Sequence, residues 1–315
     1  MSAFTIGLAC LLDLLLGDPP GWPHPVRWIG RSIGALSEAA LEWIASPFGR
    51  RLVGVALALF VPGTTWLAAT ALLTLAAGVS DILAAILGVW LAYTTLAARS
   101  LFVETWRVAL ALNEGDLDRA RSLLSYVVGR ETANLEPPEI LRALVETVAE
   151  NLSDGVVAPL FYLALGGPAL ALAYKAVNTL DSMIGYKNER WRHLGWASAR
   201  LDDLANFIPA RIAAALVTIS AWPLGLDARG ALGVWLRDGG RHSSPNAGRP
   251  EAAMAGALGV RLGGTNVYHG QIVAKPTIGQ ARQALSLERL WQGERLLFVS
   301  GGLMALAAMA WRAVW

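Results

Sequence analysis

Three carboxylates spaced four residues apart could do chemistry in this chain: Glu146, Glu150 and Asp154, immediately ahead of an apolar segment. At 3.6 residues per turn they fall within an arc of about 80° on one helix face. The opposite face is aliphatic, so the spacing predicts an amphipathic helix with an acidic, solvated side. Carboxylates this close repel one another. A divalent cation or a basic substrate would relieve the repulsion, and the helix is therefore predicted to belong to a site.

A second polar cluster lies further along the chain. It contains Lys175, Asn178, Asp181 and Ser182. On a helix these side chains share an arc of about 120°, and Gly185 is placed to end that helix. A solvated helix face, the alternative, would normally carry Glu, Lys and Gln. Asn, Asp and Ser are poor helix formers that need a reason to be there, which favours a site.

A third cluster, Asp202, Asp203 and Asn206, directly precedes another apolar run. An Asp at the centre of a lipid-facing helix costs about 2.5–3.5 kcal/mol, so these acids are expected to face protein, water or a metal. Oxygen ligands suit Mg²⁺, which binds through one or two carboxylates plus substrate phosphates. The cluster predicts a site for magnesium and a phosphorylated ligand.

Two loops carry histidines among polar neighbours. Four prolines stiffen the loop over residues 17–27, which would hold Asp18, His24 and Arg27 ready at the membrane surface. A lone loop histidine is more often structural than catalytic, and that alternative stays open for His24.

The second loop, residues 241–248, is rich in Gly, Ser and Asn. Its backbone amides and Arg241 could cradle a phosphate. His242 lies in this loop, with the same two alternatives as His24.

The composition indicates a membrane protein. The 315 residues are 55% hydrophobic and 16% charged, against about 25% charged in a soluble domain. Residues 52–78, 82–98 and 296–315 are predicted to span the bilayer, whereas residues 4–16 are short and carry Asp13. Two further apolar runs are broken: 156–174 by Gly166-Gly167-Pro168, and 207–224 by Pro209 and Arg211.

Charge placement predicts the topology. Of 26 Lys and Arg residues, 24 lie in four polar segments, which the positive-inside rule places in the cytoplasm. Residues 52–98 then form a membrane hairpin, and the runs 156–174 and 207–224 each dip in and return. We therefore predict an all-α, polytopic helical membrane protein with re-entrant or hairpin segments, one domain over residues 1–315, in the inner cell membrane with a polar cytoplasmic face.

Several classes are disfavoured. Cys10 is the only cysteine, which excludes a disulfide framework and a thiolate metal site. A cleaved signal peptide would need a basic start and a small-residue cleavage site, which residues 1–17 lack. Strand signals are nearly absent. The net charge of +2 gives no reason to expect nucleic acid, and no Walker loop, serine elbow or His-Glu-x-x-His motif is present.

The order and composition of these polar blocks resemble the CobD/CbiB family of cobalamin biosynthesis, the adenosylcobinamide-phosphate synthases. The matching blocks are residues 13–27, 129–132, 146–159, 174–186, 202–211, 242–248 and 255–264. Glu131 stands where the family pattern leads us to expect Asp, and the charge is kept.

The resemblance implies an ATP-dependent amidation of adenosylcobyric acid by aminopropanol phosphate or aminopropanol. A free carboxylate is hard to amidate because its leaving group would be oxide. Phosphorylation supplies a leaving group, and the amine then attacks. Such a site needs Mg²⁺ and cationic groups on the phosphoryl group, and a base for the incoming ammonium.

The resemblance also suggests a role for each polar residue. The expected metal ligands are Glu146, Glu150, Asp154, Asp202 and Asp203. The expected substrate and phosphate ligands are Arg27, Arg130, Lys175, Asn178, Ser182, Lys187, Arg211, Ser244 and Asn246. The expected catalytic residues are His24 or His242 as the base, with Glu150 and Asp181.

Two alternatives of other classes stay open. An intramembrane, Mg-dependent prenyltransferase would also use acidic helices at a membrane surface, with an apolar tunnel and no ATP. A corrinoid transporter or scaffold is the other, although no internal repeat is visible. Expected partners are the two substrates, membrane lipid, other corrinoid-pathway enzymes and a second copy of the chain.

Overall fold

The computed structural model describes residues 2–268 and 270–315, and this part of the chain is predominantly helical, as predicted. In chain order the elements are α1 (Ala3–Leu16), α2 (Pro25–Trp43), α3 (Pro47–Val79), α4 (Asp81–Tyr93), α5 (Ala98–Asn113), α6 (Leu117–Leu124), α7 (Pro137–Asn151), a π-helix (Leu152–Val157), α8 (Ala158–Ile184), α9 (Trp196–Ala205), α10 (Phe207–Ala221), α11 (Ala228–Asp238), α12 (Gly248–Leu258), β1 (Arg261–Tyr268), β2 (Gln271–Gly279) and α13 (Leu287–Val314).

The chain divides into two compact units. The first contains the chain up to Leu96, Ala158–Phe207 and Ala305–Trp315, and the second contains Ala97–Val157 and Ile208–Met304. Thus α1–α4, α8 and α9 belong to the first unit. The second unit contains α5–α7, the π-helix, most of α10, α11, α12, the strands and most of α13.

Four segments of the described chain are long and apolar enough to cross a membrane. They are Pro47–Val79, Asp81–Asn113, Pro137–Ile184 and Leu287–Val314, and α9 with α10 would together make a fifth. The predicted span at 52–78 lies inside α3, and the predicted span at 296–315 lies largely within α13. These helices indicate a multi-pass membrane protein.

Local signals set the ends of the α3–α4 pair. Pro47 occupies the first turn of α3, where its missing N–H costs nothing, and Ser46 Oγ accepts the amide of Gly49 at 3.0 Å. Ser80 is the single residue between α3 and α4, and its hydroxyl caps α4 through the Ile82 amide at 3.2 Å. The two long helices are therefore joined by one capping residue.

Helix α8 folds back on itself at Gly167. This residue has φ 72° and ψ −165°, a backbone conformation open to glycine, and Pro168 begins the second arm. The rings of Tyr162 and Tyr174 stack with centroids 4.8 Å apart, whereas twelve residues of straight helix would separate them by about 18 Å. The predicted hairpin within residues 156–174 is present.

Residues 207–224 do not form the re-entrant segment that was predicted for them. Helix α10 runs from Phe207 to Ala221 without a break, so this segment does not dip and return. Pro209 lies in its first turn, where proline interrupts no intrahelical hydrogen bond.

Aliphatic side chains from three helices, α2, α3 and α8, and from the turn before α9 pack the core of the first unit. The cluster is Ile33, Ala40, Leu57, Val61, Ala176, Leu180, Ile184 and Leu194. Gly54 of α3 allows the backbone of Leu194 to approach α3 closely, since a Cβ there would collide with the backbone oxygen of Leu194. This packing fixes the second arm of α8, which carries one of the predicted polar clusters, against α2 and α3.

The second unit contains a β-hairpin that was not predicted from the sequence. Strands β1 and β2 pair antiparallel, with Arg261 opposite Gly279 and Tyr268 opposite Gln271. The register shifts at Gly263, whose φ of 76° marks a β-bulge. The available signal was weak: two short β-branched stretches flanking Gly270, with Pro276 inside the second.

Candidate active site

The second and third polar clusters of the sequence come together in the first unit. Asn178 on α8 donates through Nδ2 to Oδ1 of Asp202 on α9 at 3.5 Å. Asn178 Oδ1 accepts from Lys175 Nζ at 3.0 Å. Asn206, at the end of α9, donates through Nδ2 to both oxygens of Asp202 at 3.0 Å. We call these four residues the aspartate cluster.

Two tyrosines of the α8 hairpin donate hydrogen bonds to the end of α9, next to the aspartate cluster. The hydroxyl of Tyr174 donates to Asn206 Oδ1 at 2.9 Å, and the hydroxyl of Tyr162 donates to the Ala205 carbonyl at 2.9 Å. Because the two tyrosine rings stack, the two arms of α8 hold the end of α9 together. Tyr162 was not predicted as a site residue, because it lies inside an apolar run.

The remaining predicted residues of α8 and α9 flank this cluster. Asp203 lies 3.7 Å from Arg200 and within electrostatic range of Lys187. The hydroxyl of exposed Ser182 donates to the Thr179 carbonyl at 3.1 Å. The carbonyl of Asp181 accepts the Gly185 amide at 2.7 Å, and α8 ends at Ile184, which confirms the predicted helix end at Gly185.

The proline-rich loop of the first unit is held by its own polar residues. His24 is buried, and its Nε2 lies 2.9 Å from Asp18 Oδ1. Arg27 donates to the carbonyls of Asp18 at 3.0 Å and Pro19 at 3.3 Å, and Tyr93 donates to the carbonyl of Gly17. The arginine therefore orders the loop, and its exposed guanidinium lies beside it.

In the second unit Glu146 is buried between two arginines. Arg130 binds one carboxylate oxygen, and Arg142 lies 3.4 Å from the other. The bulge at Gly263 also directs its amide to Glu146 at 2.8 Å. The expected solvated acidic face was therefore wrong for Glu146, which is 6% exposed. Its charge is balanced by Arg130, which lies 16 residues earlier in the chain, and by Arg142, one turn earlier on α7.

Asn266 of β1 joins the same network. Its Oδ1 accepts from Arg130 at 2.8 Å and from Arg142 at 3.1 Å. Arg142 also donates to the carbonyls of Gly263 and Thr265. These contacts attach the strand pair to α7. Neither Arg142 nor Asn266 was predicted as a site residue, since only the fold brings β1 to α7.

The other two acids of this region differ in exposure. Glu150 is exposed, whereas Glu251 on α12 is buried, and Lys275 of β2 lies within electrostatic range of both. Burial raises the pKa of the Glu251 carboxyl well above its usual value, and the carboxylates of Glu146 and Glu150 raise it further.

Asp154 does not continue the α-helical face. Helix α7 ends at Asn151, and Asp154 lies on the π-helix that follows. A π-helix bonds residues five apart, so the four-residue spacing assumed for the acidic face ends before Asp154.

The second predicted loop is ordered around Ser244. Its hydroxyl accepts the amides of Asn246 at 3.2 Å and Ala247 at 3.3 Å, and its own amide donates to His242 Nδ1 at 3.0 Å. Arg211 of α10 donates to Asn246 Oδ1 at 3.3 Å. Four predicted residues of the second unit thus form one group at the start of α12.

The five predicted magnesium ligands divide between the two units: Asp202 and Asp203 in the first, and Glu146, Glu150 and Asp154 in the second. Among the described residues, no group of three or more His, Cys, Asp or Glu side chains is arranged to hold a metal. Magnesium needs only one or two carboxylates when phosphates complete its shell. Asp202 and Asp203, with Lys175 and Lys187 nearby, fit that requirement.

Comparison with known proteins supports the resemblance seen in the sequence. The family model described as CobD/Cbib protein matches residues 6–297. The chain belongs to the CobD/Cbib family. No solved structure matches it.

Relatives in this family are similar along almost their whole length. The cobalamin biosynthesis protein CobD of Geobacter metallireducens is 54% identical over 95% of this chain and 93% of the relative. CobD of Klebsiella pneumoniae is 48% identical over 96% and 95%, respectively. CbiB of Salmonella typhimurium is 45% identical over 98% and 97%. All of the blocks that carry the resemblance lie within the residues that the family model matches.

Proposed function

We propose that this protein acts in cobalamin biosynthesis as an adenosylcobinamide-phosphate synthase. It joins adenosylcobyric acid to aminopropanol phosphate, or to aminopropanol, with hydrolysis of ATP. The observation that carries the proposal is the meeting of α8 and α9, where Lys175, Asn178 and Asp202 form one hydrogen-bonded group. Membership in a family whose relatives are named cobalamin biosynthesis proteins supports the pathway.

The chemistry has two steps. The acid oxygen of the corrinoid takes the terminal phosphoryl group of ATP, and ADP leaves. The amine then attacks the acyl carbon, a C–N bond forms, and phosphate leaves with its oxygen. One ammonium proton goes to the departing phosphate and the other to a base and then to water. Both steps need groups that hold phosphoryl oxygens in place.

We assign the nucleotide phosphates to the aspartate cluster. Asn178 links Lys175 to Asp202, because its side chain accepts a hydrogen bond from the lysine and donates one to the aspartate. Asn206 fixes both oxygens of Asp202, so its carboxylate is oriented before any ligand arrives. Mg²⁺ held by Asp202 and Asp203 would neutralise the charge that develops on the phosphoryl group.

We assign the second unit to the other substrates. Arg211 and the ordered loop around Ser244 supply donors for a phosphate, in agreement with the roles expected from the resemblance. Glu150 is exposed and Lys275 is within its electrostatic range, so both signs of charge are available to an amino-alcohol phosphate. His24 and His242 stay as the predicted bases.

We place the protein in the inner membrane with its active face in the cytoplasm. The positive charges of the four polar segments support this orientation, because the link between α3 and α4 has none.

The test is purified protein in detergent with adenosylcobyric acid, Mg-ATP and aminopropanol phosphate, following ADP and the amide together. We expect one ADP per amide, and no ADP without the corrinoid acid. Amide-free ATP hydrolysis, or no ATP consumption with the corrinoid present, would contradict the proposal. Transfer of an isoprenoid chain without ATP would instead support the prenyltransferase alternative.

A further inference from the structure

An apolar groove runs along the first unit between α2, α3 and α4. Its volume is about 660 Å³, within the range of about 300–1,000 Å³ that ligand sites occupy. Trp28 and Leu36 of α2 form one wall, Phe60 and Ala68 of α3 the other, and Trp90 of α4 also lines it. None of the predicted site residues lines this groove.

The hydroxyl groups of the groove already donate hydrogen bonds within the protein. Its walls contain the hydroxyls of Ser32, Thr64 and Thr65. Each donates to a carbonyl of its own helix, at 3.1 Å for Ser32, 2.7 Å for Thr64 and 2.7 Å for Thr65. A hydroxyl has one hydrogen to donate, so these three hydroxyls offer no donor to a polar ligand, and the other side chains of the groove are apolar or aromatic. The groove is suited to hydrocarbon.

The surroundings indicate where that hydrocarbon comes from. Helix α3 is one of the candidate spans, and Leu59 and Leu67, next to the groove on the same helix, are exposed. The groove follows α3 from Phe60 to Leu72, about 18 Å of helix, which is close to the roughly 15 Å depth of one leaflet. An acyl chain of a membrane lipid matches both the medium and the length.

A cation stands at the edge of the groove. Arg31 is exposed, next to Ser32 on α2, and its Nε donates to the Arg27 carbonyl at 3.4 Å. Among the described residues no carboxylate pairs with Arg31, so its charge is available to an anion.

We propose that this groove holds one acyl chain of an anionic membrane phospholipid, with the lipid phosphate bound by Arg31. The site is separate from the proposed reaction and does not depend on it. The acyl chain would contact the groove-lining side chains of α2 and α3 and fill the space between them.

The test is native mass spectrometry of the full chain in mild detergent after removal of lipid and addition of phosphatidylglycerol or phosphatidylcholine. We expect one phosphatidylglycerol retained per chain in preference to phosphatidylcholine. A basic side chain near a membrane surface contributes about 1 kcal/mol toward anionic lipid, so Arg31→Gln should lower that preference about fivefold. Equal retention of the two lipids by the unaltered chain, or an unchanged preference in Arg31→Gln, would overturn the headgroup assignment.

Groove-filling variants test the acyl chain. Ala68→Trp should abolish retention of both lipids, whereas Ala71→Trp, exposed on α3 but outside the groove, should retain them. Ala35→Trp fills the groove from α2 and replaces Ala68→Trp in the experiment if that variant does not fold. Equal retention by filled and control variants refutes the proposal. A bound isoprenoid phosphate in place of phospholipid would also refute the proposal. So would a disulfide between two copies of the chain that each carry Cys10→Ala and Ala68→Cys.

Discussion

The buried carboxylate of Glu146 lies between α7 and the strand pair of the second unit. In the sequence it is one of three repelling carboxylates, and in the structure Arg130, Arg142 and the Gly263 amide surround it. The acid therefore connects α7 to the strand pair, and its predicted role as a magnesium ligand stays a prediction.

Removal of that carboxylate should destabilise the protein strongly. Glu146→Ala leaves two buried arginines without their carboxylate, the only negative charge they bind among the described residues, and breaking a buried ion pair costs about 3–5 kcal/mol. We expect a clear fall in the thermal midpoint of the detergent-purified protein. Glu104→Ala, which removes an exposed pair with Arg107, is the control and should cost about 0–1 kcal/mol. Similar losses in the two variants would contradict the buried network.

Glu251 and Asp238 should give opposite dependences of stability on pH. The pKa of Glu251 is raised by burial, so the folded state binds more protons than the unfolded state above the ordinary value of 4.5, and stability falls as pH rises. The pKa of Asp238 is lowered by its hydrogen bonds with Arg237, with smaller help from the Gly279 amide. That stability is present above the ordinary value of 3.8 and is lost as pH falls through the lowered pKa.

Thermal midpoints measured from acid to neutral pH check both signs. Relative to the unaltered chain, Glu251→Gln should gain stability at neutral pH and lose that advantage towards pH 4.5. Asp238→Asn should be less stable at neutral pH and approach the unaltered chain in acid. Parallel curves for all three proteins would show that neither shift exists.

At the level of elements, the fold-back of α8 positions the site. Its turn at Gly167 lets the two arms pair, and Tyr174 on the second arm then reaches Asn206. Because Asn206 in turn binds both oxygens of Asp202, the turn at Gly167 helps to orient the Asp202 carboxylate.

Gly167→Ala tests this turn. Gly167 has φ 72° and ψ −165°, a region essentially restricted to glycine, where another residue costs about 1–3 kcal/mol; the thermal midpoint should therefore fall and the aspartate cluster should lose its support. Gly63→Ala lies within α3, where an added methyl has open space, and should be neutral or slightly stabilising. If both variants behave alike, the strained turn is not present.

Much of the fold could be predicted because its signals are local. The apolar run of α3 and the helix end at Gly185 depend only on neighbouring residues. The clusters of α8 and α9 were recognisable since Asn and Asp rarely occupy helices without reason. The strand pair, Arg142 and Asn266 could not be found this way, because Asn266 meets Arg130 from 136 residues away. The change to a π-helix at Leu152 likewise left no local mark.

At the level of the whole molecule, the membrane orientation can be tested by labelling. In a Cys10→Ala background, Ser80→Cys in the α3–α4 link should react with an impermeant thiol reagent added to intact cells. Asn188→Cys, in the polar segment after α8, should react only after the membrane is opened. The reverse pattern, or labelling of both from outside, would refute the cytoplasmic placement.

The most direct measurement compares amide formation by Asp202→Asn and Asp227→Asn under identical conditions, with Mg-ATP and both organic substrates. Asp227 is an exposed cap of α11, and Asn caps a helix equally well, so that variant should keep near-normal turnover. Asp202→Asn keeps the shape of the aspartate cluster but removes its charge, and should lose about 10²-fold or more of the ATP-dependent amide. Equal turnover in the two variants would contradict the proposed active site.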